Sequence, residues 1–230
     1  MSTIGQDYDR WHSRPEYADD PREDRLNAWA LDLLETRPGE RLLDIACGRG
    51  GFLLRARQRG LHVTGVDISE VAIENARRRL PGADLRVGDG ENLPFEDRSF
   101  ERVVCLGSLE HFPDPPAGAR EMARVLTDDG RALIYVPNLF FLGHVWFGLR
   151  HGIQPSEADQ DFSEIFLTSQ GWTRLLEDNG LTVESWHPWN YIYASPKVSP
   201  LVMRGWNLAS RFLPRNAAYS FAFVCRRTAA

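Results

Sequence analysis

The sequence predicts an α/β chain in which a doubly wound, mostly parallel sheet carries helices on both faces. Three observations lead there: short apolar runs alternate with helical patterns, the first run opens through a glycine turn into a helix, and the first two runs each end on an aspartate. In order, Leu26 to Leu34 has helical apolar spacing and is closed by Pro38-Gly39. Strands are expected at Arg41 to Ala46, His62 to Asp67, Asp84 to Val87, Glu101 to Leu106 and Arg131 to Val136. Helices are expected between them at Gly51 to Gln58, at Ser69 to Leu80 with Ser69 as N-cap, and at Pro115 to Leu126. Beyond Val136 come an N-capped helix at Thr168 to Asn179 stopped by Gly180, a strand at Leu181 to Trp186, and a last strand at Tyr219 to Cys225.

Two stretches fit neither pattern. Asn138 to Gly152 holds Leu139, Phe140, Phe141, Leu142, Val145, Trp146, Phe147 and Leu149, too apolar for a free surface, and is expected to cap the carboxyl edge of the sheet. Asn190 to Asn216 is a long insert between the last two strands. Its Leu201, Val202, Trp206, Leu208, Phe212 and Leu213 suggest an amphipathic element that extends a substrate lid, forms a homodimer contact or touches a membrane surface, in that order.

The 230 residues, 43% hydrophobic, suit one domain: a lid and helix over 1–40, a core over 41–137, a cap, sixth strand and insert over 138–216, and the last strand over 217–230. The opening residues, rich in Asp, Arg and Glu, do not read as a secretory leader, and no apolar run is long enough to cross a bilayer, so the expectation is a soluble cytoplasmic chain without stable membrane association. A net charge of -5 with dispersed basic residues argues against nucleic acid as a partner. Cys47, Cys105 and Cys225 fall in or beside apolar runs far apart in sequence, and read as buried thiols.

The chemistry concentrates in Leu42-Leu43-Asp44-Ile45-Ala46-Cys47-Gly48-Arg49-Gly50-Gly51-Phe52. Gly48 and Gly50 allow a tight turn and close approach of backbone to a ligand. Asp44 just before that turn would repel a pyrophosphate and attract a cationic end such as an amino-acid ammonium. Asp67, closing Val63-Thr64-Gly65-Val66, stands where a carboxylate can accept both hydrogen bonds of a ribose diol, and Asp89 in Val87-Gly88-Asp89-Gly90-Glu91 can accept from an adenine amino group. Asp67 with Ser69 also fits plain helix capping, and Asp89-Gly90 a plain turn. A nicotinamide fingerprint is excluded by Leu53 in place of the third glycine and by the charge of Asp44.

On these runs, together with GSLEHFPDP after the fourth strand and REMARVLTDDGRALIYVPN through the fifth, the sequence resembles the class I S-adenosylmethionine-dependent methyltransferases, in particular the small-molecule branch of the ubiquinone and menaquinone enzymes, over roughly Arg41 to Asn138. The resemblance implies a Rossmann-like seven-stranded sheet with an antiparallel last strand, S-adenosyl-L-methionine as cofactor and S-adenosyl-L-homocysteine as product. It implies that Asp44, Ala46, Gly48 and Gly50 hold the methionine end, Asp67 the ribose, and Ile68, Asp89, Gly90, Glu91 and Leu106 the adenine and its surroundings. It also places Tyr8 and Trp11 of Tyr8-Asp9-Arg10-Trp11-His12 in a lid over the cofactor. Gly107 stands where the ubiquinone O-methyltransferases carry a further glutamate, so no metal is assigned.

For the acceptor, His111 is the first candidate base and His144 the second, since imidazole takes a proton near neutral pH. The Glu110-His111 pair also fits a helix start that shapes the cofactor pocket, and His144, with His151 and His187, also fits ordinary cap packing. The aromatic groups Phe140, Phe141, Trp146, Phe147 and Trp189, Tyr191, Tyr193 suit a flat, apolar small-molecule acceptor. Methyl transfer to oxygen is the leading expectation; nitrogen, carboxylate or carbon acceptors, and a cofactor-binding homologue that transfers nothing, are the rivals.

Overall fold

A computed structural model describes residues 3–13, 23–152, 164–190, 205, 208 and 210–229. Two helices come first, α1 (Thr3–His12) and α2 (Glu23–Leu33). The alternating part follows as β1 (Arg41–Ile45), α3 (Gly51–Gln58), β2 (His62–Asp67), α4 (Glu70–Arg79), β3 (Asp84–Val87), β4 (Phe100–Leu106), α5 (Pro115–Val125) and β5 (Leu126–Pro137). It continues with α6 (Leu142–His151), α7 (Ser169–Glu177), β6 (Leu181–Trp189) and β7 (Ser220–Arg227). The strands form one seven-stranded sheet in the order β3-β2-β1-β4-β5-β7-β6. β1 to β5 pair in parallel and β7 runs antiparallel between β5 and β6.

The strands read as unbroken apolar runs because both faces are covered. Along β4 and β5, Val103, Cys105, Ala132, Ile134 and Val136 enter one core layer with Met122 of α5 and Trp172 of α7. Their neighbours Val104, Leu133 and Tyr135 enter the other, with Leu31 of α2, Phe52 and Leu53 of α3 and Ile73 of α4. All three cysteines are buried free thiols. The chain order reverses between β1 and β4, so the crevice above their carboxyl ends is the natural ligand site of such a sheet.

Several boundaries move. β6 runs on to Trp189 across an irregularity between Val183 and Ser185, and β5 begins at Leu126, opposite Phe100, before a second irregularity brings Arg131 opposite Arg102. The larger correction concerns Asn138 to Gly152. It contains a helix, α6, stopped by Gly152 in the left-handed conformation, and that helix buries none of its residues. Trp146 is 64% and Leu149 83% exposed, and Leu142 and Val145 also face outward; the expected burial of this segment holds for Phe141 alone of its large apolar residues. Of the insert, Leu201, Val202 and Trp206 lie outside the described residues, as do Tyr191 and Tyr193, while Leu208 and Phe212 are exposed.

Trp172 ties α7 to the end of β5. It is fully buried, and its indole N–H donates to the Pro137 carbonyl at 2.9 Å. Trp172→Ala leaves both a cavity and an unpaired carbonyl, and is expected to cost about 3–5 kcal/mol. Equilibrium urea unfolding should show a midpoint well below that of the parent, with an unchanged slope; a loss under 1 kcal/mol would contradict this packing.

Candidate functional site

The turn between β1 and α3 is shaped by three left-handed residues, Ala46 (φ 57°), Gly48 (φ 52°) and Gly50 (φ 76°). For Gly48 and Gly50 the conformation is free of the Cβ clash, but for Ala46 it costs about 1–2 kcal/mol, strain of the kind held where backbone geometry serves a ligand. The turn is fastened from the next strand. Asp67 accepts the Gly48 N–H at 2.8 Å through Oδ2 and the Ser69 N–H at 2.9 Å through Oδ1, so one carboxylate ties the turn after β1 to the turn after β2. Ser69 in turn caps α4, accepting from the Ala72 N–H at 3.0 Å. Asp67 thus fastens the turn and the start of α4, and each oxygen keeps a lone pair that a ligand hydroxyl could use.

Asp44 and Asp67 are both buried, and they face each other electrostatically. Burial first, and the Asp67 charge second, push the Asp44 carboxyl well above the usual carboxylate range. Asp67 is raised to about 6 by burial, against the lowering effect of its two backbone donors. The unliganded site therefore holds acids that lack a positive partner strong enough to offset their desolvation. A sulfonium or ammonium is the complement such a site calls for.

The third expected acid is different. Asp89 is exposed, and its Oδ1 accepts from the Glu91 N–H at 2.9 Å, which is the plain turn. Glu91 accepts from the Asp114 N–H at 2.6 Å and so joins this loop to the start of α5. Gly90 has a packing reason of its own: a Cβ there would lie 2.5 Å from the Phe112 ring and 3.0 Å from Ile45. Ile68 and Leu106 are half-buried at the ends of β2 and β4, beside the same crevice.

Helix α1 lies over the turn. Asp9 accepts from the Ser69 hydroxyl at 2.6 Å and the Val71 N–H at 3.2 Å, at the N-terminus of α4, where a negative charge also meets the helix dipole. Arg49 of the turn donates to the His12 carbonyl. A Cβ on Gly48 would stand 3.5 Å from the His12 ring, and Trp11 packs edge-on against that ring at 4.9 Å. Tyr8 projects among acids: burial, then the charges of Asp67, Glu110 and Glu164, push its phenol upward.

Across the crevice, the 3-10 turn Leu109–His111 sets Glu110 and His111 at the end of β4. Glu110 is buried and raised to about 8, and Glu164 to about 7, chiefly by desolvation. The Ile165 N–H donates to the Glu110 carbonyl at 2.9 Å, and the Leu139 N–H to Leu167 at 3.1 Å, so the segment carrying Glu164 is stitched between the ends of β4 and β5. His144 stands beside this group in an aromatic box of Phe141, Phe166 and Tyr219, with ring centroids at 5.0, 5.2 and 5.9 Å. Burial lowers its pKa against a hydrogen bond to the Asn138 backbone. Tyr219 links the two, since the charges of Glu164 and Glu110 reach it. His187 is elsewhere, bonded to Ser185 at 3.0 Å and edge-on to Trp29, while His151 is exposed. Glu164, Asp9 and Tyr219 are residues that sequence reasoning did not assign; no local pattern marks Glu164, whereas Asp9 sits in the very run that suggested a lid.

Residues 43–134 match the methyltransferase domain family. Nocamycin O-methyltransferase of Saccharothrix syringae is 44% identical over 109 residues, covering 44% of this chain and 39% of that protein. 27-O-demethylrifamycin SV methyltransferase of Amycolatopsis mediterranei is 40% identical over 114 residues, 46% and 42% of the two chains. The chain thus aligns with less than half the length of these relatives. Over its whole length it shares the fold of a methyltransferase solved in complex with the Haloferax volcanii Trm112 methyltransferase activator, at 19% identity, 99% coverage of both chains and a TM-score of 0.75. The centre of this chain thus matches a methyltransferase domain, carried on a mostly parallel seven-stranded sheet.

The Asp67 carboxyl gives a direct check on the buried charge. Its folded pKa, about 6, lies above the unfolded value near 3.8, so its contribution to the stability of the unliganded protein is fully present below about pH 4 and is lost as pH rises through about 6. Carboxyl carbon NMR of the unliganded protein should show an aspartate titrating near pH 6 that disappears in Asp67→Asn. Only midpoints below 4 would refute it.

Proposed function

We propose that the protein transfers the methyl group of S-adenosylmethionine to an oxygen of a small, largely apolar acceptor, releasing S-adenosylhomocysteine. The observation that carries this reading is the pair of buried, desolvated carboxylates, Asp44 and Asp67, meeting over the left-handed Ala46 to Gly50 turn inside the matched domain. Asp44 and the turn would hold the methionine end, Asp67 the ribose, and Ile68, Gly90, Glu91 and Leu106 the base, with Asp89 shaping that loop. Tyr8 and Trp11 of α1 would shut out water. The cofactor supplies an electrophilic methyl group on a sulfonium, so no covalent enzyme intermediate is required.

The chain's remaining work is to align the acceptor and take its proton. His111, beside Glu110 and Glu164, is the leading base; His144 is the second, reaching the same acids through the Tyr219 box. The choice of oxygen is supported by the O-methyltransferase relatives, one acting in nocamycin and one in rifamycin chemistry by their names, and by the aromatic lining of Phe141, Phe166 and Tyr219.

Asp44→Asn removes a charge-assisted contact worth about 1.5–3 kcal/mol, and S-adenosylmethionine affinity by calorimetry should fall about 10- to 100-fold; unchanged affinity would refute the assignment. Turnover is followed as S-adenosylhomocysteine release with phenols, enols, alcohols and amines of similar size. Products carrying the methyl group on nitrogen or carbon would displace the oxygen reading, and tight cofactor binding with no turnover on any acceptor would favour a homologue that does not methylate. His111→Ala should lower turnover on the accepted substrate about 10²- to 10⁴-fold, with a smaller loss for His144→Ala. Full turnover in both variants would remove histidine from the proton step.

A further inference from the structure

Glu110, His111 and Glu164 form a cluster that cofactor binding leaves unused. Each offers one ligand atom, a carboxylate oxygen or an imidazole nitrogen, and these three atoms lie within 4.8 Å of one another. Around an octahedral cation with bonds of about 2.1 Å, adjacent ligands stand about 3 Å apart and opposite ones about 4.2 Å. A small inward movement of side chains would therefore bring all three onto one ion.

Three further features favour an ion over a chance meeting of acids. Glu110 is 5% exposed, and its Oε2 has no hydrogen-bond partner among the described residues, an arrangement that buried carboxylates avoid unless a ligand completes them. The cluster is also built in by the backbone: Glu110 and His111 share one 3-10 turn, and the residue after Glu164 donates its N–H to the Glu110 carbonyl at 2.9 Å. Finally, Gly107 sets no side chain beside the carboxylate. At Gly107 a Cβ would meet nothing closer than Glu110 Oε1 and the Tyr135 ring, each at 3.9 Å.

We propose that Glu110, His111 and Glu164 form a binding site for a divalent cation of the magnesium or manganese kind. Two carboxylate oxygens and one imidazole are a hard, mixed donor set suited to such ions, and the absence of thiolate donors in it disfavours a soft-metal site. Glu164 makes the site chain-specific, because it arrives from a segment separate from the strand-end turn. Three protein ligands leave positions for the oxygens of a bound acceptor; with the cation in place the His111 nitrogen that holds it no longer serves as a base, and the cation instead makes the acceptor hydroxyl more acidic, its proton passing to His144 or to water. That use rests on the reading of the protein as an O-methyltransferase, whereas binding of the ion does not.

The test is a manganese titration of the whole protein after chelator treatment, followed by electron paramagnetic resonance of free Mn²⁺. One saturable site per chain is expected. Its affinity should fall at least about tenfold in Glu164→Gln and in His111→Ala, a loss of the size typical when a ligand set is damaged, and magnesium should compete. Glu110→Gln provides a third arm, and the thermal melt of each variant shows that it is folded; if Glu110→Gln does not fold, the other two carry the result. No saturable binding, or equal affinity in Glu164→Gln and His111→Ala, would overturn the site. Calorimetry with S-adenosylhomocysteine separates the two readings: manganese binding without cofactor binding would strike the methyltransferase assignment alone, and the reverse would strike the cation site alone.

Discussion

The arrangement of the cofactor edge depends on the carboxylate of Asp67. One oxygen holds the Gly48 N–H and the other the Ser69 N–H, so two turns that belong to successive βα units are set against each other by a single side chain. Turn after β1, cap of α4 and docking of α1 follow in sequence from it, because Ser69 caps α4 and also donates its hydroxyl to Asp9. Placing that carboxylate in a nearly water-free position strengthens both hydrogen bonds and makes its charge costly at the same time.

The same tension runs along the whole carboxyl edge. Asp44, Asp67, Glu110 and Glu164 are all raised, and in every case desolvation is the largest cause. A fold selected for stability alone would replace such acids with apolar residues of similar volume. On the proposed readings, cations from outside the chain would answer them: a sulfonium and an ammonium on one side of the crevice, and a metal ion on the other. Among the described residues, arginines nearer the surface pair with other acids, such as Arg41 with Glu101 and Arg124 with Glu121. These pairs neutralise the periphery of the chain.

Much of this was legible in the residues themselves, for a physical reason. The alternation of strands and helices, the Ser69 cap and the Asp44 to Gly50 turn are encoded by neighbours in sequence, so periodicity and turn chemistry suffice to place them. Glu164 and Tyr219 reach the site through the path of the chain in space, and no local pattern announces either. Hydrophobicity misled at Asn138 to Gly152, where apolar content suggested burial; α6 instead forms with its large side chains outward, since Phe141 and the Asn138 bonds to Asn216, Ala218 and Phe140 already fasten that segment. Asp89 shows a milder version of the same ambiguity: one of its oxygens accepts the Glu91 N–H of a turn, and the sequence alone did not separate that use from a ligand contact.

Helix α1 has a consequence for the order of events. Its anchor, Asp9, bonds to the same Ser69 whose N–H Asp67 holds, and its Tyr8 stands among Asp67, Glu110 and Glu164, between the two halves of the crevice. On the proposed reading, a donor bound at the turn would lie under that helix, which would have to lift for the donor to exchange. Donor and acceptor would therefore be taken up in sequence and given back in the reverse order, with the undocking of ten residues as the slow gate between turnovers.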